Sequence, residues 1–320
     1  MKRLFFAVLA VATLASCAKE EAIRVDQGEA IAFGDAFVDN ATRAIYESAD
    51  NIQGFTVFGQ VGQKGEDDQI SSYVALYGEN GATVTRGDAA LGAAWSCDAT
   101  RYWIPSSTFN FAAIANGTAS ELNAGLPTTI AYTVVDEPAD LIYATATATT
   151  NETSVPTGDV TGSIVKFSFK HLLSRVKVSF KNLIEGGEYT YKITNVKVTT
   201  WDKGIYTIGA QTPWARTGGG NAVLNYSSFD ALSYSTTATE AGAKLVIPLS
   251  SVTLSFDYEL LLNGTKIYGT TVTKNDVIKP QQNYSYNITV QLEAGNKIDF
   301  TVNSSEGLTD WTEQPETVIE

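Results

Sequence analysis

Tyr284-Ser285-Tyr286-Asn287-Ile288-Thr289-Val290-Gln291-Leu292 decides the fold: Tyr284, Tyr286, Ile288, Val290 and Leu292 share one face of an extended chain, and the four polar residues share the other. Alternation with period two in β-branched and aromatic residues marks a half-buried strand. Val252, Leu254, Phe256, Tyr258 and Leu260 repeat the pattern opposite Thr253, Ser255, Asp257 and Glu259. Further strands are predicted at 55–61, 72–77, 109–113, 130–134, 165–169, 175–181 and 297–303. One apolar and one polar face is what antiparallel sheets with a single buried side require. Gly186-Gly187, Gly218-Gly219-Gly220, Asn263-Gly264, Asn116-Gly117 and Asn80-Gly81 punctuate these runs. Asn263-Gly264 reads as a type I′ hairpin, since that turn needs two positive φ values. No amphipathic helix of useful length is present, and Thr118–Gly125 has room for one short helical turn. Many short punctuated strands give an all-β chain of sandwiches rather than a parallel α/β sheet. The stretch 147–162 is rich in Thr, Gly and Pro and is expected to be the least structured, so a division is placed near residue 160.

The composition narrows function. The chain has 320 residues, a net charge of -13, one histidine and two cysteines. That acidity argues against nucleic acid or anionic lipid as partner. A lone His171 cannot build a zinc site and is expected to sit satisfied at the interdomain junction. Asp67-Asp68 and Glu20-Glu21 lack the spacing of a calcium loop, and Gly218–Gly220 lacks the Lys-Ser/Thr of a phosphate loop. A glycosidase's paired carboxylates meet in space rather than in order, so a linear reading does not address them. No cofactor or metal is expected, and the chain reads as a non-enzyme.

Residues 1–16 form a signal peptide, with basic Lys2 and Arg3, an apolar run Leu4–Leu14 and a small-residue exit. Leu14-Ala15-Ser16-Cys17 resembles the bacterial lipobox, which implies cleavage between Ser16 and Cys17 by the lipoprotein signal peptidase, and lipid (palmitate) on Cys17. Ala18-Lys19-Glu20-Glu21 resembles the short signal that sends Bacteroidetes-type lipoproteins to the outer face of the outer membrane. Membrane contact is then through the lipid anchor alone. Cys97 is left without a disulfide partner and is expected to be a buried, inert thiol. Trp95, Trp103, Trp201, Trp214 and Trp311 are scattered and are expected mainly in cores and at sheet edges.

Several strings occur in a telling order: Thr42-Arg43-Ala44, Tyr102-Trp103-Ile104-Pro105, Asp140-Leu141-Ile142-Tyr143-Ala144, the run Phe167–Val178, Leu245-Val246-Ile247-Pro248, Pro280–Tyr286, and Ile298 to Trp311. Together they resemble the fimbrillin family, the subunits of type V pili, over essentially the whole mature chain. The resemblance implies two tandem transthyretin-like antiparallel β-sandwich domains, at 44–160 and 161–320, behind a tether and removable first strand at 17–43. It also implies a surface Arg-specific protease that cuts Arg43–Ala44, and polymerisation with other pilus subunits by donor-strand exchange into an extracellular fimbrium. Cell adhesion is a further implication.

The residues fit this scheme on their own terms. Ile31, Phe33 and Phe37 alternate, with Asp35 interrupting that face, and 38–50 is polar enough for a nicked loop. A cut after Arg24 would precede that strand and release nothing. Residues 308–320 are the candidate donor, although Pro315 cannot donate to a ladder. A subunit without a working donor would be a tip, and an anchor would keep its lipid and lack the cut. The competing reading is an outer-membrane lipoprotein that binds glycans on exposed aromatics without polymerising.

Overall fold

The computed structural model describes residues 28–38, 52–65, 67–87, 95–136, 139–306 and 317–319. Among them the chain is all-β, apart from a 3-10 turn at Ala294–Asn296. The first strands are β1 (Ala32–Val38), β2 (Gly54–Gln63), β3 (Val74–Ala75), β4 (Ala82–Arg86), β5 (Trp95–Cys97) and β6 (Ser107–Ala115). Then come β7 (Thr118–Asn123), β8 (Leu126–Thr133), β9 (Ile142–Thr150), β10 (Pro156–Gly158), β11 (Val160–Thr161) and β12 (Ile164–His171). The second half holds β13 (Ser174–Asn182), β14 (Tyr189–Trp201), β15 (Lys203–Thr207), β16 (Trp214–Arg216), β17 (Asn221–Asn225) and β18 (Phe229–Leu232). It ends with β19 (Thr239–Val246), β20 (Val252–Leu262), β21 (Thr265–Ile278), β22 (Tyr284–Leu292), β23 (Ile298–Glu306) and β24 (Thr317–Ile319).

These strands form four sheets. A ten-stranded sheet follows β1-β12-β9-β6-β2-β4-β5, with β3, β10 and β11 attached to β2, β9 and β12. Two five-stranded sheets follow β19-β13-β22-β23-β24 and β17-β14-β20-β21, the latter carrying β18 on β14. The fourth sheet, β16-β15-β8-β7, draws two strands from each half of the chain.

The alternation read from sequence places the core. Tyr286, Ile288, Val290 and Leu292 of β22 are buried, as are Val252, Leu254, Phe256, Tyr258 and Leu260 of β20. The two five-stranded sheets meet across these faces, where Phe180 and Phe256 contact edge-to-face at 5.1 Å. Asn263 (φ 50°) and Gly264 (φ 78°) form the expected turn between β20 and β21.

Several expectations need correction. The sheets are not wholly antiparallel: β1 pairs parallel with β12, and β13 pairs parallel with β22. Thr118–Gly125 is no helical turn, since β7 occupies Thr118–Asn123 and pairs with β8 through a turn with positive φ at Ala124 and Gly125. Thr147–Gly162, expected to be the least structured, holds the end of β9 and all of β10 and β11. The Thr and Gly content misled because exposed edge strands do not need large apolar residues. The predicted strand at 72–77 shrinks to β3. Residues 160 and 161 lie in β11, and the chain passes from the ten-stranded sheet into the next at buried Leu172 and Leu173.

The crossing is tied from several directions. His171 is buried and pairs through Nδ1 with the buried carboxylate of Asp140. Leu172 N–H donates to Leu141 O at 3.0 Å, and Trp214 Nε1 donates to Leu172 O at 3.0 Å. One apolar cluster contains Phe58, Ile114, Ile130 and Leu141 together with the second half's Val176, Ile193 and Val290. Burial of such a shared cluster makes the halves thermodynamically inseparable. Calorimetric unfolding of the chain is therefore expected to show one cooperative transition, and two resolved transitions would contradict the shared core.

Candidate functional site

The site is the seat of the first strand. On one side β1 runs parallel to β12, pairing Ala32 with Ile164, Phe33 with Val165 and Gly34 with Lys166. On its other side the start of the same segment is also held. Ile31 N–H donates to Arg101 O at 2.8 Å, and Trp103 N–H donates to Glu29 O at 3.1 Å, which makes an antiparallel bridge between Ala30 and Tyr102. The ten-stranded sheet curls far enough for β5, at its opposite edge, to lie beside β1. Thus the segment is held on both sides, residues 29–31 by the stretch that follows β5 and β1 itself by β12.

Apolar packing holds it as firmly as its backbone does. Ile31 and Phe33 are each 5% exposed. The Phe33 ring stacks on Phe167 at 6.0 Å and meets Phe111 and Phe55 edge-to-face at 6.0 and 6.5 Å. Phe55 continues the cluster to Trp95 and Phe169 at 5.5 and 5.4 Å. Aromatic contacts of this geometry stabilise beyond the area they bury.

The flanking wall is braced by Arg101. Its Nε donates to Leu76 O, its Nη1 donates to Thr100 O at 2.9 Å, and its guanidinium lies 5.5 Å from the centre of the Tyr77 ring. These bonds fix the Arg101 carbonyl that receives the β1 backbone. Burial, with the Cys97 thiol as a lesser cause, pushes the Tyr77 hydroxyl well above its ordinary range. Burial also raises the half-buried Cys97 thiol, whose Sγ donates to Ala99 O at 3.4 Å. The expected inert thiol is thus part-buried rather than buried.

A register shift between Gly34 and Phe37 alters one expectation. The extra residue puts Phe37 opposite Ser168 and Val38 opposite Phe169. Asp35, read as an interruption of the apolar face, lies in that shift. Sequence reasoning missed the Arg101–Trp103 flank, which carries no alternation of its own. A usable signal was present in Gly28, just ahead of the strand, and Gly34, within it, where other backbone or side chains come close.

The processing residues Ser16, Cys17, Arg43 and Ala44 lie outside the described residues, as do Trp311, the tether from 17 and residues 308–316. Arg43 follows the last residue of β1, Val38, by five positions in the sequence. Of the candidate donor, Thr317–Ile319 forms β24 at the edge of its sheet, antiparallel to Phe300–Val302 of β23. Trp103 and Trp214 are buried, while half-buried Trp95 and Trp201 are faced by Arg86 at 5.8 Å and Arg216 at 4.6 Å. None of the four described tryptophans is exposed. Asp68 pairs with Lys64 at 2.8 Å and Asp67 accepts from the Gln69 N–H at 3.2 Å. Among the described residues no cluster of three metal-ligating side chains occurs.

Comparison with known proteins agrees with this architecture. The model of a family described as fimbrillin-like matches residues 42–304. A fimbrial protein from Bacteroides vulgatus ATCC 8482 superposes with a TM-score of 0.60 at 16% identity, covering 86% of this chain and 99% of its own. A candidate cell adhesion protein from Bacteroides uniformis ATCC 8492 superposes with a TM-score of 0.51 at 15% identity, covering 87% and 97%. At these identities the likeness is one of fold. No curated protein matches the chain.

Two outcomes test the seat. Phe33→Ala is expected to destabilise the protein by ~3–5 kcal/mol, the usual cost of emptying a buried aromatic position, read by chemical denaturation; a loss below ~1 kcal/mol would show that the cluster does not depend on Phe33. Because a raised thiol pKa leaves less thiolate at a given pH, alkylation of Cys97 in the folded chain at pH 8 should be slower than in denaturant. The folded rate should still be climbing at pH values where an ordinary thiol has levelled off.

Proposed function

The chain belongs to the fimbrillin-like family, and we propose that it is a structural, non-enzymatic subunit, stalk or tip, of a type V pilus. In this reading it is built as two tandem transthyretin-like sandwiches and works at the cell surface in adhesion. It is exported behind residues 1–16, cut between Ser16 and Cys17 by the lipoprotein signal peptidase, and held on the outer membrane by lipid on Cys17. An Arg-specific protease then cuts Arg43–Ala44, and segment 17–43 leaves with β1. A strand from another subunit, of which 308–320 is the candidate in this chain, takes its place and links the two into an extracellular polymer.

The observation that supports this most directly is the two-sided seat of β1. A strand bonded along β12 and again to Arg101 and Trp103, with Phe33 in an aromatic cluster, leaves behind unpaired backbone on both flanks and an apolar trench when it goes. Strand addition from another chain relieves both at once. The short pairing of β24, over Phe300–Val302 alone, suits a segment that can be given up. The tryptophans, all buried or half-buried where described, do not favour the glycan-binding alternative.

Treating the purified precursor with an Arg-specific protease is expected to give one clean cut after Arg43, seen by intact mass, followed, once a partner subunit is supplied, by oligomers that persist in detergent. Arg43→Gln is expected to remain uncut and monomeric. A clean cut with no oligomer would assign a tip or accessory role. Resistance at Arg43 in the unaltered chain would favour an anchor or a glycan-binding lipoprotein.

A further inference from the structure

The seat of β1 is demanding about the side chains of its occupant. At Gly28 a Cβ would stand 2.5 Å from the Trp103 carbonyl oxygen and 3.2 Å from Ser154 Cβ. At Gly34 a Cβ would stand 2.7 Å from Ile164 Cγ2. Between these two tight places the Ser163 hydroxyl donates to the Glu29 carboxylate at 2.6 Å, Ile31 is buried, and Phe33 fills the space among Phe55, Phe111 and Phe167. Ala30 and Ala32, at the intervening positions, are exposed. Direction is fixed as well, since the strand is parallel to Ile164–Phe169 and antiparallel to the bridge at Tyr102.

We propose, resting on the strand-exchange reading, that this seat selects a strand of pattern Gly-acid-x-aliphatic-x-aromatic-Gly, supplied by a different subunit and not by residues 307–320 of a second copy. Those residues cannot meet the pattern in any register that puts an apolar side chain at the place of Phe33. With Leu308 there, Glu306 and Thr309 take the aliphatic and second glycine places; with Pro315 there, Glu313 and Glu316 do; with Trp311 there, Thr309 takes the aliphatic place and Thr312 and Glu306 take the two glycine places. With Val318 there, Glu316 and Ile319 take the aliphatic and second glycine places; with Ile319 there, Thr317 and Glu320 do. Each register puts a side chain where backbone or Ile164 already stands, and a polar group where Ile31 is buried. On its accepting side the chain therefore takes a strand of this pattern in preference to residues 307–320 of a second copy, whatever those residues themselves enter.

The test has two arms. In the uncut chain, amide exchange at Ile31 and Trp103 reports opening of the seat. Gly28→Ala and Gly34→Ala are each expected to speed it tenfold or more, and Phe33→Ala by roughly a hundredfold or more. Ala32→Thr, at an exposed position, should leave it unchanged. Equal exchange in all four variants would overturn the selectivity without touching the polymer reading. In the Arg-protease-cut chain, fluorescent peptides of residues 28–38 and 307–320 are offered in turn. Binding of 28–38 at least a hundredfold tighter than 307–320 supports the proposal, and comparable binding overturns it. A cut chain that keeps its own strand and takes neither peptide overturns the strand-exchange reading and the claim about the partner with it, while the first arm still decides the selectivity.

Discussion

The structure of the first half depends on one strand being bonded on both flanks. A sheet that curls until its edges approach leaves a gap only one strand wide, and β1 fills it, with Val165 beside Phe33 on one flank and Arg101 accepting from Ile31 on the other. Unpaired edges are costly when they are long and apolar, because they recruit other chains. Here the fold covers those edges with a segment that stands first among the described strands of the sheet. Its parallel ladder with β12 separates β1 from every other strand of the ten-stranded sheet.

The second half supplies stiffness. The sheet β16-β15-β8-β7 pairs Tyr206 of one half with Ile130 of the other, and Tyr206 packs on Trp214 at 5.4 Å, whose indole reaches Leu172 at the crossing. The buried Asp140–His171 pair sits at the same place. That contact joins Asp140, in the connection before β9, to His171 at the end of β12, and so ties the two segments at the crossing. The seat of β1 is thus built on a body whose parts do not move independently.

Much of this was legible in the residues. Alternation in β20 and β22 located the core faces, and Asn263-Gly264 located a hairpin, because those features depend on near neighbours in sequence. The sole histidine was read as sitting at the junction of the two halves, and His171 is buried at the crossing, paired through Nδ1 with Asp140. The parallel pairings of β1 with β12 and β13 with β22 were not legible, since strand direction depends on partners far away in the chain. Nor was the register shift after Gly34, which sets Phe37 opposite Ser168 and Val38 opposite Phe169. The bracing of Tyr102 and its neighbours by Arg101 shows how a segment without periodicity can still be one wall of a site.

Parallel pairing has a mechanical consequence. A strand pulled along its own axis against a parallel neighbour loads its hydrogen bonds together, in shear, whereas a hairpin pulled open at one end gives them up singly. The β1–β12 and β13–β22 ladders are both of the shear kind when force runs along the strands. A tensile load applied through the seat of the first strand would meet bonds that share it, so a joint of this geometry resists being drawn out lengthwise far better than being peeled sideways.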